Sequence, residues 1–307
     1  MYVKRAFITA VAAVFALSAC GGGGGDPLTQ ATPTAPAATG GSAAASTTVV
    51  VGSFNFPESV LLGSIYAQAL QAKGVTVEEK PNIGSREVVF DQVKSGGLTV
   101  LPEYVGSLLA FVDPATTAKS TDDVVAALKT KLPPEVEVLT PAAAQDGNSL
   151  TVTKAFATEK GLTTIEDLAK ISKDLKVGGP PEFKERQEKN FKDTYGLEFK
   201  AWEPTADTTA DAIKSGTIQA GNVFTTDPKI LLNDLVSLQD NKNAFAADNI
   251  APLVFKSGVD DNVKSTLDAV SAKLTTEGLL ELMKRIAVDK DDPPVVAKDW
   301  LTQNGLV

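Results

Sequence analysis

The chain has no histidine and one cysteine among its 307 residues. Without histidine, Ser-His-Asp and Cys-His nucleophiles and histidine-ligated metal sites cannot be built here. One cysteine has no partner for an internal disulfide. Basic residues are also in deficit: 29 Lys and Arg face 38 Asp and Glu, a formal net charge of −9. Phosphate binding needs clustered Lys and Arg, so a nucleic-acid partner is not expected. What remains open to chemistry is carboxylate or lysine catalysis. Apolar residues are 43% of the chain and charged ones 22%, enough for one large or two modest domains with real cores.

The cysteine has a context. Lys4 and Arg5 precede an apolar run, Ala6 to Leu17, that ends in Leu17-Ser18-Ala19-Cys20. A basic start, a short apolar stretch and small residues make a secretory signal, and the run is too short for a comfortable membrane span. Leu17-Ser18-Ala19-Cys20 resembles the lipobox of bacterial lipoproteins, whose cysteine becomes the acylated N-terminus; an ordinary signal with an incidental cysteine is the other reading. Residues 21–48 are mostly Gly, Ala, Thr, Pro and Ser. That composition cannot bury enough surface to offset its ordering entropy, so it reads as a flexible linker.

The folded body is expected from Val49-Val50-Val51, a β-branched strand signal. Pro57 and Glu58 suit a first helical turn, and Leu61, Leu62, Ile65, Ala69 and Leu70 recur at helical spacing before Gly74. A strand at Val75–Val77, a helix over Val88–Val93 and a strand-like Leu98–Leu101 complete a β-α-β-α-β run, whose natural solution is a parallel sheet. The middle of the chain repeats the grammar. Strands are expected at Leu150–Val152, Leu175–Val177 and Ile218–Phe224, with helices from Thr164, through Phe183, Phe191 and Tyr195, and over Ala210–Lys214. Lys94-Ser95-Gly96 and Lys214-Ser215-Gly216 each close a helix before a strand that empties into a polar loop. The shared order implies two similarly built lobes joined by crossing strands, near Asn148 to Val152 and Val223 to Asp227, with a ligand between them. The tail, with a strand at Ala251–Phe255 and helices to the end, is expected to return to the first lobe.

The stretch with most chemistry is Leu101-Pro102-Glu103-Tyr104-Val105-Gly106-Ser107. Pro102 cannot donate to a ladder and is expected to end the strand. Open α/β sheets bind ligands where strands end and helices open. Tyr104 is also readable as a core residue with a satisfied hydroxyl, and Phe224 as core. Arg186 is readable as the partner of Glu182, Asp227 before Pro228 as a turn initiator, and Lys184 to Lys189 as a solvated helix face.

Val51-Gly52-Ser53, Phe56-Pro57-Glu58, Pro102-Glu103-Tyr104-Val105-Gly106-Ser107, Glu182-Phe183 with Arg186, and Thr226-Asp227 together resemble one family. It is that of the substrate-binding proteins of glycine betaine, choline and other osmoprotectant ABC transporters, and the resemblance spans Val49 to Val307. It implies an α/β, two-lobe periplasmic-binding-protein-like fold of type II. The expected division is a signal peptide at 1–20, a linker at 21–48, lobe 1 at 49–147 and 226–307, and lobe 2 at 148–225. It implies a monomer that captures a small solute for ABC permease subunits, held to the extracytoplasmic face of the membrane through Cys20. Neither metal nor cofactor is expected.

By the same resemblance Tyr104 is a wall of an aromatic cage for a quaternary ammonium, and Ser107 binds the ligand's carboxylate. Phe54, Ser59, Asn148, Arg186, Phe224 and Thr225 complete the candidate ligand-binding set. The chain departs from the pattern in carrying Phe54 where relatives have lysine, and Asn148 and Thr209-Ala210 where they have cage tyrosines. Those departures lead to the expectation that glycine betaine binds weakly and that a bulkier, more polar solute is preferred. The rivals are a carboxylate-using hydrolase, which solute turnover would reveal, and a surface protein with no transport role, which a neighbouring permease gene would argue against. For the anchor, Cys20→Ser is expected to release the body into the soluble fraction on cell fractionation; equal membrane retention would refute the lipobox.

Overall fold

The computed structural model describes residues 48–180, 183–205 and 208–307, all within one compact unit. The expected signal with Cys20, the linker up to residue 47, and Glu182 lie outside the described residues. Strands are numbered in chain order. The first sheet holds β1 (Val49–Phe54), β2 (Val77–Gly84), β3 (Val100–Tyr104), β4 (Val136–Val138) and β10 (Ile250–Phe255), in the order β2-β1-β3-β10-β4. The second holds β5 (Asn148–Thr153), β6 (Lys176–Gly179), β7 (Ala201–Pro204), β8 (Ala220–Phe224) and β9 (Leu235–Ser237), in the order β7-β6-β8-β5-β9.

The two orders are the same pattern. In each sheet a central strand pairs in parallel with the next two strands in sequence, β1 with β2 and β3, β6 with β7 and β8. An antiparallel strand then joins on the far side, β10 beside β3 and β5 beside β8, with a three-residue edge strand beyond it. The Lys-Ser-Gly closures occupy equivalent places, Gly96 at φ 78° and Gly216 at φ 75°. From each glycine the chain runs the same distance, through the fully buried Leu98 or Ile218, to the last residue of a strand, Tyr104 or Phe224. Gly52 and Gly178 lie under these apolar residues: a Cβ there would meet Leu98 Cδ1 at 2.7 Å and Ile218 Cδ1 at 2.5 Å.

Helix Pro57–Ala72 carries the first core. Leu61, Leu62, Ile65 and Leu70 are fully buried against the sheet, each worth about 1.5–3 kcal/mol relative to exposure. Its outer side is covered by helices Asp261–Ser271 and Pro293–Gln303, through Val263, Leu267, Val296, Trp300 and Leu301. The tail therefore packs into the first lobe.

Pro102 does not end its strand. It sits inside β3, opposite Pro252 of β10. The Pro252 carbonyl accepts from Leu139 N–H at 2.9 Å, on the side away from β3. The facing prolines are thus a non-hydrogen-bonded pair of the antiparallel ladder, where neither ring is asked for a donor. The lobe boundary also differs from expectation. β9 pairs with β5, and Leu238, Ala244 and Phe245 pack in the second core, so the chain stays with the second sheet well past residue 226. β5 and β8, expected to cross between lobes, both belong to the second sheet. The crossings are the segments 139–147 and 238–249, zipped by Ala142 N–H to Ile250 O (2.8 Å), Ile250 N–H to Ala144 O (3.0 Å) and a Gln145–Asn249 bridge.

Helix Val105–Val112 starts directly against the returning segment: a Cβ on Gly106 would lie 2.4 Å from Ala247 O. Gly106→Ala should therefore cost about 1–3 kcal/mol by forcing backbone apart, read as a lower midpoint in urea unfolding. An unchanged midpoint would mean that the returning segment yields freely.

Candidate functional site

β3 ends in two residues with opposite fates. Glu103 is fully buried and takes the fork of Arg86, Nε to Oε1 at 2.8 Å and Nη2 to Oε2 at 3.1 Å. Its Oε2 also accepts from Tyr104 N–H at 2.7 Å. Burial pushes this carboxyl upward, and the guanidinium and the N–H pull against it. Tyr104 turns the other way and donates its hydroxyl to Glu58 Oε1 at 2.7 Å. Its ring, 5% exposed, meets Phe56 at 6.0 Å between centroids. Phe56 stacks on Phe54 at 5.7 Å and 6°, and the Arg86 guanidinium lies 5.4 Å from the Phe54 centroid on that ring's face.

Glu58 joins the lobes. It sits in the first turn of helix Pro57–Ala72 and is 4% exposed. The Thr226 side chain, two residues beyond the end of β8, lies near enough to favour its ionised form. Thr226 acts in the same direction on Asp146, in the outgoing crossing segment. The ends of β3 and β8 thus both lie by one carboxyl group. Burial, followed by the charge of Asp146, raises Glu58 to about 7; Thr226 and Tyr104 pull it down. Burial likewise lifts Asp146 to about 6. Asp146 Oδ1 has no hydrogen-bond partner among the described residues. Asp248, in the returning segment, accepts from Ser107 N–H (2.9 Å) and Ser107 Oγ–H (2.5 Å). Arg86 faces Glu103 and Asp248, while Glu58 and Asp146 face each other with no cation among the groups that shift them, a cluster of four buried or part-buried acids beside one guanidinium.

The expected site residues divide. Tyr104 and Phe224 end equivalent strands, and Asn148 is the cross-strand partner of Phe224. Phe224 is 51% exposed and Asn148 is exposed beside it. Others are structural. Phe54, 3% exposed, is the buried backing of Phe56, because β1 runs its last residue into the core. Ser59 is fully buried, and its Oγ accepts from Phe54 N–H at 3.0 Å, fixing the turn out of β1. Thr225 clasps the crossing: its hydroxyl donates to Gln145 O (2.8 Å) and accepts from Gly147 N–H (3.1 Å). Ser107 is committed to Asp248. Arg186 is exposed on helix Phe183–Tyr195, amid exposed Lys184, Glu185, Glu188 and Lys189. Ala210 is buried in a small core with Ile213 and Ile218, away from solvent, so it withdraws no exposed cage wall. Asp227 Oδ1 accepts from Lys229 N–H at 2.8 Å, the turn geometry its side chain predicts.

Sequence reasoning missed Phe56, 37% exposed, and the Glu58–Asp146–Thr226 cluster. The signal for Phe56 was Pro57 after it, which puts a ring at the N-cap, outside the helix's buried stripe. Asp146 lay in a stretch with no periodicity, and only the fold brings it to Glu58.

A model of the substrate-binding domain of ABC-type glycine betaine transport systems, OpuAC, matches residues 47–303. The chain belongs to that family. It is an extracytoplasmic substrate-binding protein of the kind that binds a small solute and works with ABC permease subunits. The glycine betaine-binding protein YehZ of Escherichia coli is 28% identical over 275 residues, covering 83% of this chain and 90% of that protein. The structure of apo YehZ aligns with a TM-score of 0.75 at 27% identity, over 85% of this chain and all of that one. A glycine betaine/carnitine/choline ABC transporter structure aligns at 0.77 and 20% identity, over 84% of this chain and 99% of that one. The two-lobe α/β fold of the periplasmic binding proteins is shared with both.

Glu58 and Asp146 make the free protein sensitive to pH. Each carboxyl is raised above its ordinary value, so its contribution to stability is complete below the unfolded value and is lost as pH climbs through the folded one. For Glu58 that window runs from 4.5 to about 7, and for Asp146 from 3.8 to about 6. Thermal unfolding of the ligand-free protein should therefore show falling Tm from pH 5 to pH 8, and Glu58→Gln should flatten the fall. An equally steep fall in that variant would place the titration elsewhere.

Proposed function

We propose that the chain captures a quaternary-ammonium osmoprotectant of the glycine betaine, carnitine and choline type and hands it to an ABC permease. The observation that carries this reading is the grouping at Glu58: exposed Phe56 lies against Tyr104, which donates to that buried carboxyl, and exposed Phe224 ends the strand two residues before Thr226, which faces it. A methylated cation cannot donate hydrogen bonds, so aromatic faces and nearby negative charge are what it has to bind. The names of YehZ and of the aligned transporter structure support the same ligand class.

This revises the expectation of a bulkier, more polar ligand. That expectation counted Asn148 and Ala210 as lost walls, but Ala210 is core and Phe56 is a wall the count left out. The hydrolase and the non-transport surface protein find no support in the family. The reading includes anchoring through lipidated Cys20 and a monomeric state. Among the described residues no helix is long and apolar enough to cross a membrane.

Calorimetric titration with glycine betaine, choline and carnitine tests the ligand. Each aromatic face contributes about 0.5–2 kcal/mol to a cation, so Phe56→Ala and Phe224→Ala should each weaken binding by roughly threefold to thirtyfold. Binding that survives loss of both rings would move the site elsewhere. Closure is tested by small-angle scattering: the radius of gyration should shrink on saturation with the ligand found. A change absent in the parent yet present when the Thr225 clasp is removed would show that the crossing is too stiff to act as a hinge.

A further inference from the structure

Glu58 touches parts of the molecule that have to agree for a ligand to be held. From β3 it takes the Tyr104 hydroxyl, and the Thr226 side chain in the loop after β8 faces it. Asp146 of the crossing segment faces it as a like charge, and behind Asp146 stand Asp227 and Asp248. Glu103, the neighbouring acid on β3, is taken by Arg86, so that guanidinium is not available to Glu58. Asp146 has one oxygen without a partner among the described residues. No cation faces Glu58 among the groups that shift it. The carboxyl is buried, and its ionic form is stabilised by hydroxyls alone.

We propose that Glu58 is a positioning residue that makes the cleft favour net cations over zwitterions, with its own proton competing against the ligand's charge. The proposal rests on the quaternary-ammonium reading above. When ionised, Glu58 sets a negative charge behind the Tyr104 ring and the exposed Phe56 ring that lies against it, which adds to the attraction of an ammonium group held on Phe56. When protonated, it offers no such charge. A net cation such as choline, held on the Phe56 ring, stabilises the ionised form and expels the proton; the balance is one cation bound for up to one proton released. Glycine betaine brings a carboxylate with its ammonium, and the two charges largely cancel at the distance of Glu58. The ratio of choline to betaine affinity therefore rises as Glu58 ionises, and the buried carboxyl's position near 7 puts that change around neutral pH.

The experiment is calorimetric titration of the full chain with choline chloride and with glycine betaine between pH 5.5 and pH 8, repeated in two buffers of different ionisation enthalpy to count protons. Choline affinity should rise roughly tenfold over that range with proton release, and betaine affinity less than about threefold. Glu58→Gln should hold the choline-to-betaine ratio constant across pH and abolish the proton release. Asp146→Asn, which removes the like charge and keeps Glu58, should move the choline midpoint to lower pH; it serves if the glutamine variant does not fold. A ratio that does not change with pH in the parent, or that changes equally in Glu58→Gln, overturns the proposal while leaving the ligand class standing. Absence of binding by either compound at every pH overturns both.

Discussion

A carboxyl group taken out of water has to be given polar company, and at Glu58 that company comes from two lobes. Tyr104 donates to it from the end of β3, and the Thr226 side chain faces it from just beyond β8. The two strand ends therefore meet at one buried group. Phe56 lies against Tyr104, Phe224 lies two residues before Thr226, and the crossing segments pass between them at Asp146 and Asp248. The aromatic surface and the buried acids are thus gathered around one side chain.

The repeat of topology between the lobes makes their differences informative. Both sheets have a strand-end ring at the same place, Tyr104 in one and Phe224 in the other. The first ring is tied down through its hydroxyl and 5% exposed; the second has no hydroxyl and is 51% exposed. The first lobe offers a fixed floor, with Phe54 and Arg86 layered beneath Phe56. The second offers an open ring with Asn148 beside it. A ligand that settles on the first lobe and is then covered by the second fits that division of labour.

Much of this was legible in the residues. Apolar periodicity located the helices at Pro57–Ala72 and Phe183–Tyr195, and the twin Lys-Ser-Gly closures announced the duplicated topology. The failures have separate physical causes. Pro102 looks like a strand terminator until its partner is known, because only pairing decides whether a missing N–H is missed. Phe54 and Ser59 carry the residue types of a binding loop, yet burial turns one into backing and the other into a clasp. Asp146 and Asp248 lie far apart in sequence and meet Glu58 and Ser107 only through the crossing. No local pattern encodes such a meeting.

The facing prolines have a bearing on how the chain finds its way home from the second lobe. β10 is the strand that returns, and it enters the first sheet between β3 and β4. Slipping it by one residue would turn Pro252 toward β3 at a position that demands a donor its ring cannot supply. Pro252 therefore works as a gauge of the strand's alignment, excluding one-residue slips. Since Asp248 and Asn249 immediately precede β10, that alignment also decides which residues of the returning segment stand under the cleft.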